Sequence, residues 1–128
     1  MIGKIMRRWA PAALMMLAIF LFSSIPSEEM PHFGGWDTAL KKAGHMLGYG
    51  VFSATCWRGV FGTTKKATLI SWLLVFVYAI SDEIHQSTVS GRNAAWLDVA
   101  IDGMGAAIGL LLVNKSVTIQ RFIVYKVV

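Results

Sequence analysis

The chain has 128 residues, of which 55% are hydrophobic and only 15% charged, whereas a soluble domain carries nearer ~25% charged residues. At this length, and with a mean hydropathy of +0.58, a large soluble core plus several membrane crossings is excluded, so the crossings must themselves be the fold, in one domain over residues 1–128. The net charge of +5 sits in short loops and at the ends, where it sets topology against a membrane surface. No nucleic-acid motif or aromatic-interleaved basic patch accompanies it. Cys56 is the only cysteine, which rules out an internal disulfide and leaves no cysteine metal signature.

Four apolar runs follow in chain order. The first, 9–25, is preceded by Lys4, Arg7 and Arg8 and is broken by Ser23, Ser24 and Pro26. A basic start before an apolar run also fits a cleaved signal peptide, but no A-x-A-like site follows. The second run is 43–61, with Arg58 near its end; the third is 67–84; the fourth is 94–113. A helix needs ~20 residues to cross the hydrocarbon core, so flanking polar residues must sit in the interfaces. The runs are continuous rather than alternating, which favours helices over a barrel. An all-α bundle of four transmembrane helices is expected. The tail after residue 114 is basic and rich in Val and Ile, and suits either a surface segment or a short strand.

Loop charge orients this bundle. Lys4, Arg7 and Arg8, then Arg58, Lys65 and Lys66, then Lys115, Arg121 and Lys126 fall on one side, and Glu28, Glu29 and Asp37 on the other. The positive side favours the cytoplasm, so both termini are expected inside. Lys41, Lys42 and Arg92 oppose the trend and are read as site residues.

Costly polar groups interrupt the apolar runs. The end of the first run, the start of the second, the end of the third and the start of the fourth lie on one side of a four-span chain. Ser23 and Ser24, Lys42 and His45, the segment from Asp82 to Gln86, and Asp98 and Asp102 occupy those places. Helical spacing puts Lys42, His45 and Tyr49 on one face, with Ser53 and Cys56 continuing it. Asp98, Asp102, Gly105 and Gly109 share another, where the two glycines permit close helix approach. Tyr78, Asp82 and His85 align, while Glu83 points about 100° away. A shallow pocket open to the outer surface is the simplest arrangement. Ionisable groups at membrane depth mark function by default. The competing reading is a set of structural ion pairs that fix helix register. Ser23 and Ser24 read as helix terminators, Cys56 as a small buried hydrophobe, and the tryptophans as packing or interface residues.

The segment Ser81-Asp82-Glu83-Ile84-His85-Gln86, followed by Gly91-Arg92 and by Asp98 and Asp102 with Gly105 and Gly109, resembles the signature of the VanZ-like family. Lys42-x-x-His45-x-x-x-Tyr49 and the Phe22-Ser23-Ser24 end of the first run resemble it too, so the likeness covers about 20–112. The loop 87–90 lacks the proline that many members place before the glycine-arginine pair. The resemblance implies a polytopic bacterial membrane protein of the cytoplasmic membrane, from a family whose namesake is associated with low-level teicoplanin resistance. It carries over Lys42, His45, Tyr49, Asp82, Glu83, His85, Gln86, Arg92, Asp98 and Asp102 as motif positions.

Three functions fit these residues. One is binding or handling of an anionic envelope component, a lipid head group or lipid-linked precursor, by Lys42 and Arg92, with His45, His85 and Gln86 completing the hydrogen bonds. Another is a membrane hydrolase or transferase on a phosphate-bearing lipid. There Glu83 or His85 would be general base and His45 a second proton carrier. The last is a structural or partner-binding protein. No H-E-x-x-H, paired-cysteine or G-x-S-x-G pattern occurs, so no metal or cofactor is expected, although the enzyme reading leaves room for a divalent metal on His and Asp/Glu ligands. A carrier role would require a homo-oligomer, since four crossings enclose little.

Overall fold

The computed structural model describes residues 2–60 and 64–124, and each apolar run is helical over most of its length. The helices are α1 (Ile2–Ser23), α2 (Asp37–Gly59), α3 (Lys65–Gln86), α4 (Trp96–Lys115) and the short α5 (Val117–Val124). Among the described residues there is no strand. The tail is therefore helical up to Val124, where a short strand had been one expectation. Val and Ile tolerate a helix when it has a surface to pack on, and Ile123 packs against buried Trp57, Leu110 and Val113. Phe61 of the expected second run and Lys126 of the tail lie outside the described residues.

Among the described residues, three helices are long and apolar enough to cross a membrane: α1, α3 and α4, with mean hydropathies of 1.5, 1.6 and 1.7. The 23-residue α2 is not among them, because its inward face carries the polar stripe. It is nevertheless the central helix and packs against α1, α3 and α4. Among the described residues, the backbones of α1 and α4 do not approach one another. The gap between them is where the cavity described below opens.

Local chemistry accounts for the helix ends and breaks. Pro11 lies inside α1 and has no N–H to give the carbonyl of Arg7. Arg58 supplies the missing donor, its Nη2 lying 3.2 Å from Arg7 O. In return Arg8 Nε donates to Arg58 O at 3.1 Å, which ties the start of α1 to the end of α2. Thr64 caps α3 by accepting from Ala67 N–H. At the end of α4, Gln120 Nε2 donates to Val113 O and Asn114 O at 3.0 and 3.1 Å, satisfying carbonyls that have no helical partner.

The tightest packing is between α2 and α4. A Cβ added at Gly105 would collide with the backbone of Met46, and one at Gly109 with the backbone of Gly50. Ser53, fully buried, lies 3.0 Å from Ala106 O across the same seam. Trp72 Nε1 donates to Gly103 O at 3.0 Å from the α3 side. Tyr49, Phe52, Cys56, Val75, Ala79 and Ala106 form the apolar core around it. Outward-facing Leu14, Leu47, Val51, Val77 and Leu111 remain more than half exposed, as suits a surface against lipid rather than water.

Candidate functional site

At one end of the bundle, polar residues from α1, α2, α3 and α4 meet. Asp82 on α3 is 4% exposed. Its Oδ2 accepts from Ser23 Oγ at 2.9 Å, Tyr49 OH at 3.0 Å and Gln86 Nε2 at 3.0 Å. One carboxylate oxygen thus gathers three helices, while Oδ1 is buried without a hydrogen-bond partner. The helical register explains the set, since Asp82 and Gln86 are four residues apart on one face. Ser23 does end α1, as its position suggests, and it also spends its hydroxyl on this junction.

Arg92 closes the belt from the α3–α4 loop. Gly91 takes φ 71°, a left-handed turn that glycine accepts freely, and so aims Arg92 back at α1. Its Nε donates to Ile25 O at 3.0 Å, its Nη2 to Phe22 O at 3.0 Å, and its Nη1 to Gln86 Oε1 at 2.9 Å. Met30 Sδ is 2.9 Å from Nη2. Burial lowers the pKa of Arg92, with Asp82 and Glu83 opposing, and the guanidinium stays charged at any ordinary pH. The side chain therefore staples the end of α1, whose last carbonyls have no helical donors. Arg92→Ala is expected to cost about 2 kcal/mol and to speed hydrogen exchange at the end of α1. Arg92→Lys should recover less than half of that, because a point ammonium cannot reproduce the planar fork. A lysine variant as stable as the parent would contradict this role.

Two acid–base pairs line the rest of the mouth. Lys42 Nζ donates to Asp98 Oδ1 at 2.8 Å, each side chain about a third exposed. One turn deeper, His45 Nδ1 lies 3.3 Å from Asp102 Oδ1, close enough to pair but out of hydrogen-bonding alignment. Asp102 is only 1% exposed. Beside them Lys41, also on the wall of the cavity, donates from Nζ to Asp37 Oδ2 at 2.6 Å. That contact holds the Asp37 carboxyl below its usual range.

These groups border a cavity of about 540 Å³ between α1, α2 and α4, inside the ~300–1,000 Å³ range of small-molecule sites. Of the residues singled out from the sequence, Ser23, Lys41, Lys42, His45, Tyr49, Gln86, Arg92, Asp98 and Asp102 reach its wall. Asp82 stands behind that wall, through Tyr49 and Gln86. Glu83 and His85 are elsewhere. Glu83 turns toward the start of α4 and accepts from Ala95 N–H, so its charge caps a helix N-terminus. His85 meets Ser24 Oγ at 2.9 Å through Nε2 and stacks on Phe20 at 4.6 Å. Two of the three acid–base candidates therefore do not border the cavity. Among the described residues, no three His, Cys, Asp or Glu side chains group as a metal-ligand set.

Sequence reasoning missed the apolar half of the wall. Met15, Ala18, Ile19 and Phe22 of α1 face the cavity at spacings of three and four. That periodicity is visible in the sequence, but so are other faces of the same uniformly apolar helix. Gly44 and Gly48 of α2 line it as well.

No curated protein and no solved structure matches the chain. The family model described as VanZ/LLP1 matches residues 8–119, a span that contains every residue of the cavity wall. On that match the chain belongs to the VanZ/LLP1 family.

Proposed function

We propose that this is an integral protein of the bacterial cytoplasmic membrane that crosses it four times with both termini inside. Its cavity then opens toward the outer leaflet, where it binds or handles an anionic envelope component, a lipid head group or lipid-linked precursor. Central placement supports α2 as the fourth crossing. Its polar stripe faces the cavity and the bundle interior, while Leu47 and Val51 on its other side are exposed. The basic residues Lys65, Lys66, Lys115 and Arg121 cluster at the end away from the cavity, which supports that end as cytoplasmic.

The carrying observation is the grading of the cavity wall, from Met15, Ala18 and Ile19 to Lys42, Arg92 and Asp98. An amphipathic ligand matches such a wall. Lys42 is its available cation: the partly exposed pair with Asp98 can exchange one carboxylate for an incoming phosphate at small cost. Arg92 shapes the mouth rather than supplying a loose charge. With Glu83 and His85 committed elsewhere, retention of a ligand is favoured over its turnover. Altered teicoplanin susceptibility would follow as a consequence of this envelope role.

Mass spectrometry of lipids copurified with the parent and with Lys42→Gln tests the reading. Anionic lipid should fall about tenfold in the variant, with little change in melting temperature. Identical lipid content in the two proteins would refute it.

A further inference from the structure

Gly44 and Gly48 lie one turn apart on α2, and both line the cavity. A Cβ built on either meets no atom within 4 Å. Packing explains other helical glycines: Gly50, Gly105 and Gly109 hold α2 against α4 with backbone in contact, whereas Gly3, near the start of α1, also faces open space. Nothing of the protein occupies the space in front of Gly44 and Gly48, although a helical glycine costs about 0.8–1.0 kcal/mol relative to alanine. Across that space stand Met15, Ala18 and Ile19 of α1, so the groove is apolar on its far side. Phe22 to Met15 spans about 10 Å of helix, running from the charged mouth into the bundle. A second observation points to an occupant as well. Asp102, 1% exposed, borders the same cavity with Oδ1 lacking a hydrogen-bond partner. Its one close polar neighbour is His45 Nδ1, 3.3 Å away and out of hydrogen-bonding alignment, so the carboxylate is short of aligned donors at the cavity wall.

We infer that the cavity seats one hydrocarbon chain of a membrane lipid against Gly44 and Gly48, below an anionic head group held at Lys42. This rests on the head-group reading above and adds the chain. The occupant follows from the chemistry of the walls. A soluble phosphate would use the mouth and leave the groove between α1 and the two glycines empty. A wholly apolar ligand would set hydrocarbon against the Lys42–Asp98 and His45–Asp102 pairs of the mouth. A lipid with a hydroxyl-bearing anionic head fills the mouth and the groove together.

Purified parent, Gly48→Leu and Lys42→Gln proteins, exchanged into detergent, would be titrated with phosphatidylglycerol and separately with soluble glycerol 3-phosphate. Gly48→Leu should bind phosphatidylglycerol about tenfold more weakly and glycerol 3-phosphate within about twofold of the parent. Its melting temperature should not fall, because the new side chain enters open space and improves helix propensity. Gly48→Ala adds only a methyl and guards against misfolding of the bulkier variant. It should be at least as stable as the parent and bind phosphatidylglycerol measurably more weakly. Undiminished phosphatidylglycerol binding by Gly48→Leu and Gly48→Ala, with loss in Lys42→Gln, would overturn the chain site and leave the head-group reading standing. Equal loss of both ligands in Gly48→Leu would also overturn it. Undiminished binding in all three variants would remove both readings.

Discussion

Asp82→Ala is expected to destabilise the protein by about 3–5 kcal/mol, the largest loss from any single polar change in the bundle. Its Oδ2 is the common acceptor for Ser23, Tyr49 and Gln86. Ser23 and Tyr49 are 2% and 1% exposed, so neither hydroxyl can turn to water once the carboxylate is gone. Each orphaned buried donor costs about 1–3 kcal/mol, and removal of the side chain adds a void. Asp82→Asn retains a carbonyl acceptor and should lose no more than half as much. Thermal unfolding in detergent would measure both. Should Asp82→Ala melt with the parent, the three-helix junction is not what holds this end together, and the cavity's polar wall loses its support.

Substitution at Gly109 should be comparably severe, by about 4 kcal/mol for Gly109→Val. Here the obstacle is backbone. A Cβ at Gly109 would strike Gly50, and the same holds for Gly105 against Met46. Backbone cannot rotate aside as a side chain can, so α2 and α4 must separate. The separation also strains Ser53 to Ala106 O and shifts the Lys42–Asp98 pair at the mouth. Even Gly109→Ala should destabilise, whereas Gly48→Ala, two residues from Gly50 on the partner helix, should not. Opposite signs for the same substitution would separate a packing glycine from one that faces empty space. Equal melting temperatures for Gly109→Ala and the parent would show that the seam has slack the geometry denies.

Much of this architecture is readable from local pattern. Continuous apolar runs mark α1, α3 and α4, because a helix hides its own backbone polar groups and an apolar sequence needs no partner to do so. Spacing of three and four places Lys42, His45 and Tyr49 on one stripe, and Asp98, Asp102, Gly105 and Gly109 on another. The close approach expected of the two glycines is realised against α2. The hundred-degree offset between Asp82 and Glu83 is realised as well: Asp82 enters the junction while Glu83 turns to Ala95. The polar ends of the four long helices do meet at one end of the bundle.

Role, unlike register, depends on which elements come near. Glu83 and His85 share a six-residue segment with Asp82 and Gln86, and nothing in that segment says which of them will face a cavity. Glu83 becomes a helix cap because the loop before α4 returns beside it. Arg92 becomes a staple because Gly91 turns it toward the last carbonyls of α1. Helical periodicity is a property of neighbouring residues and survives in the sequence. The gap between α1 and α4, the empty space before Gly44 and Gly48, and the division of the carboxylates between structure and site arise only when whole helices settle against one another. Backbone contact at Gly105 and Gly109, over distances no local pattern encodes, decides where that happens.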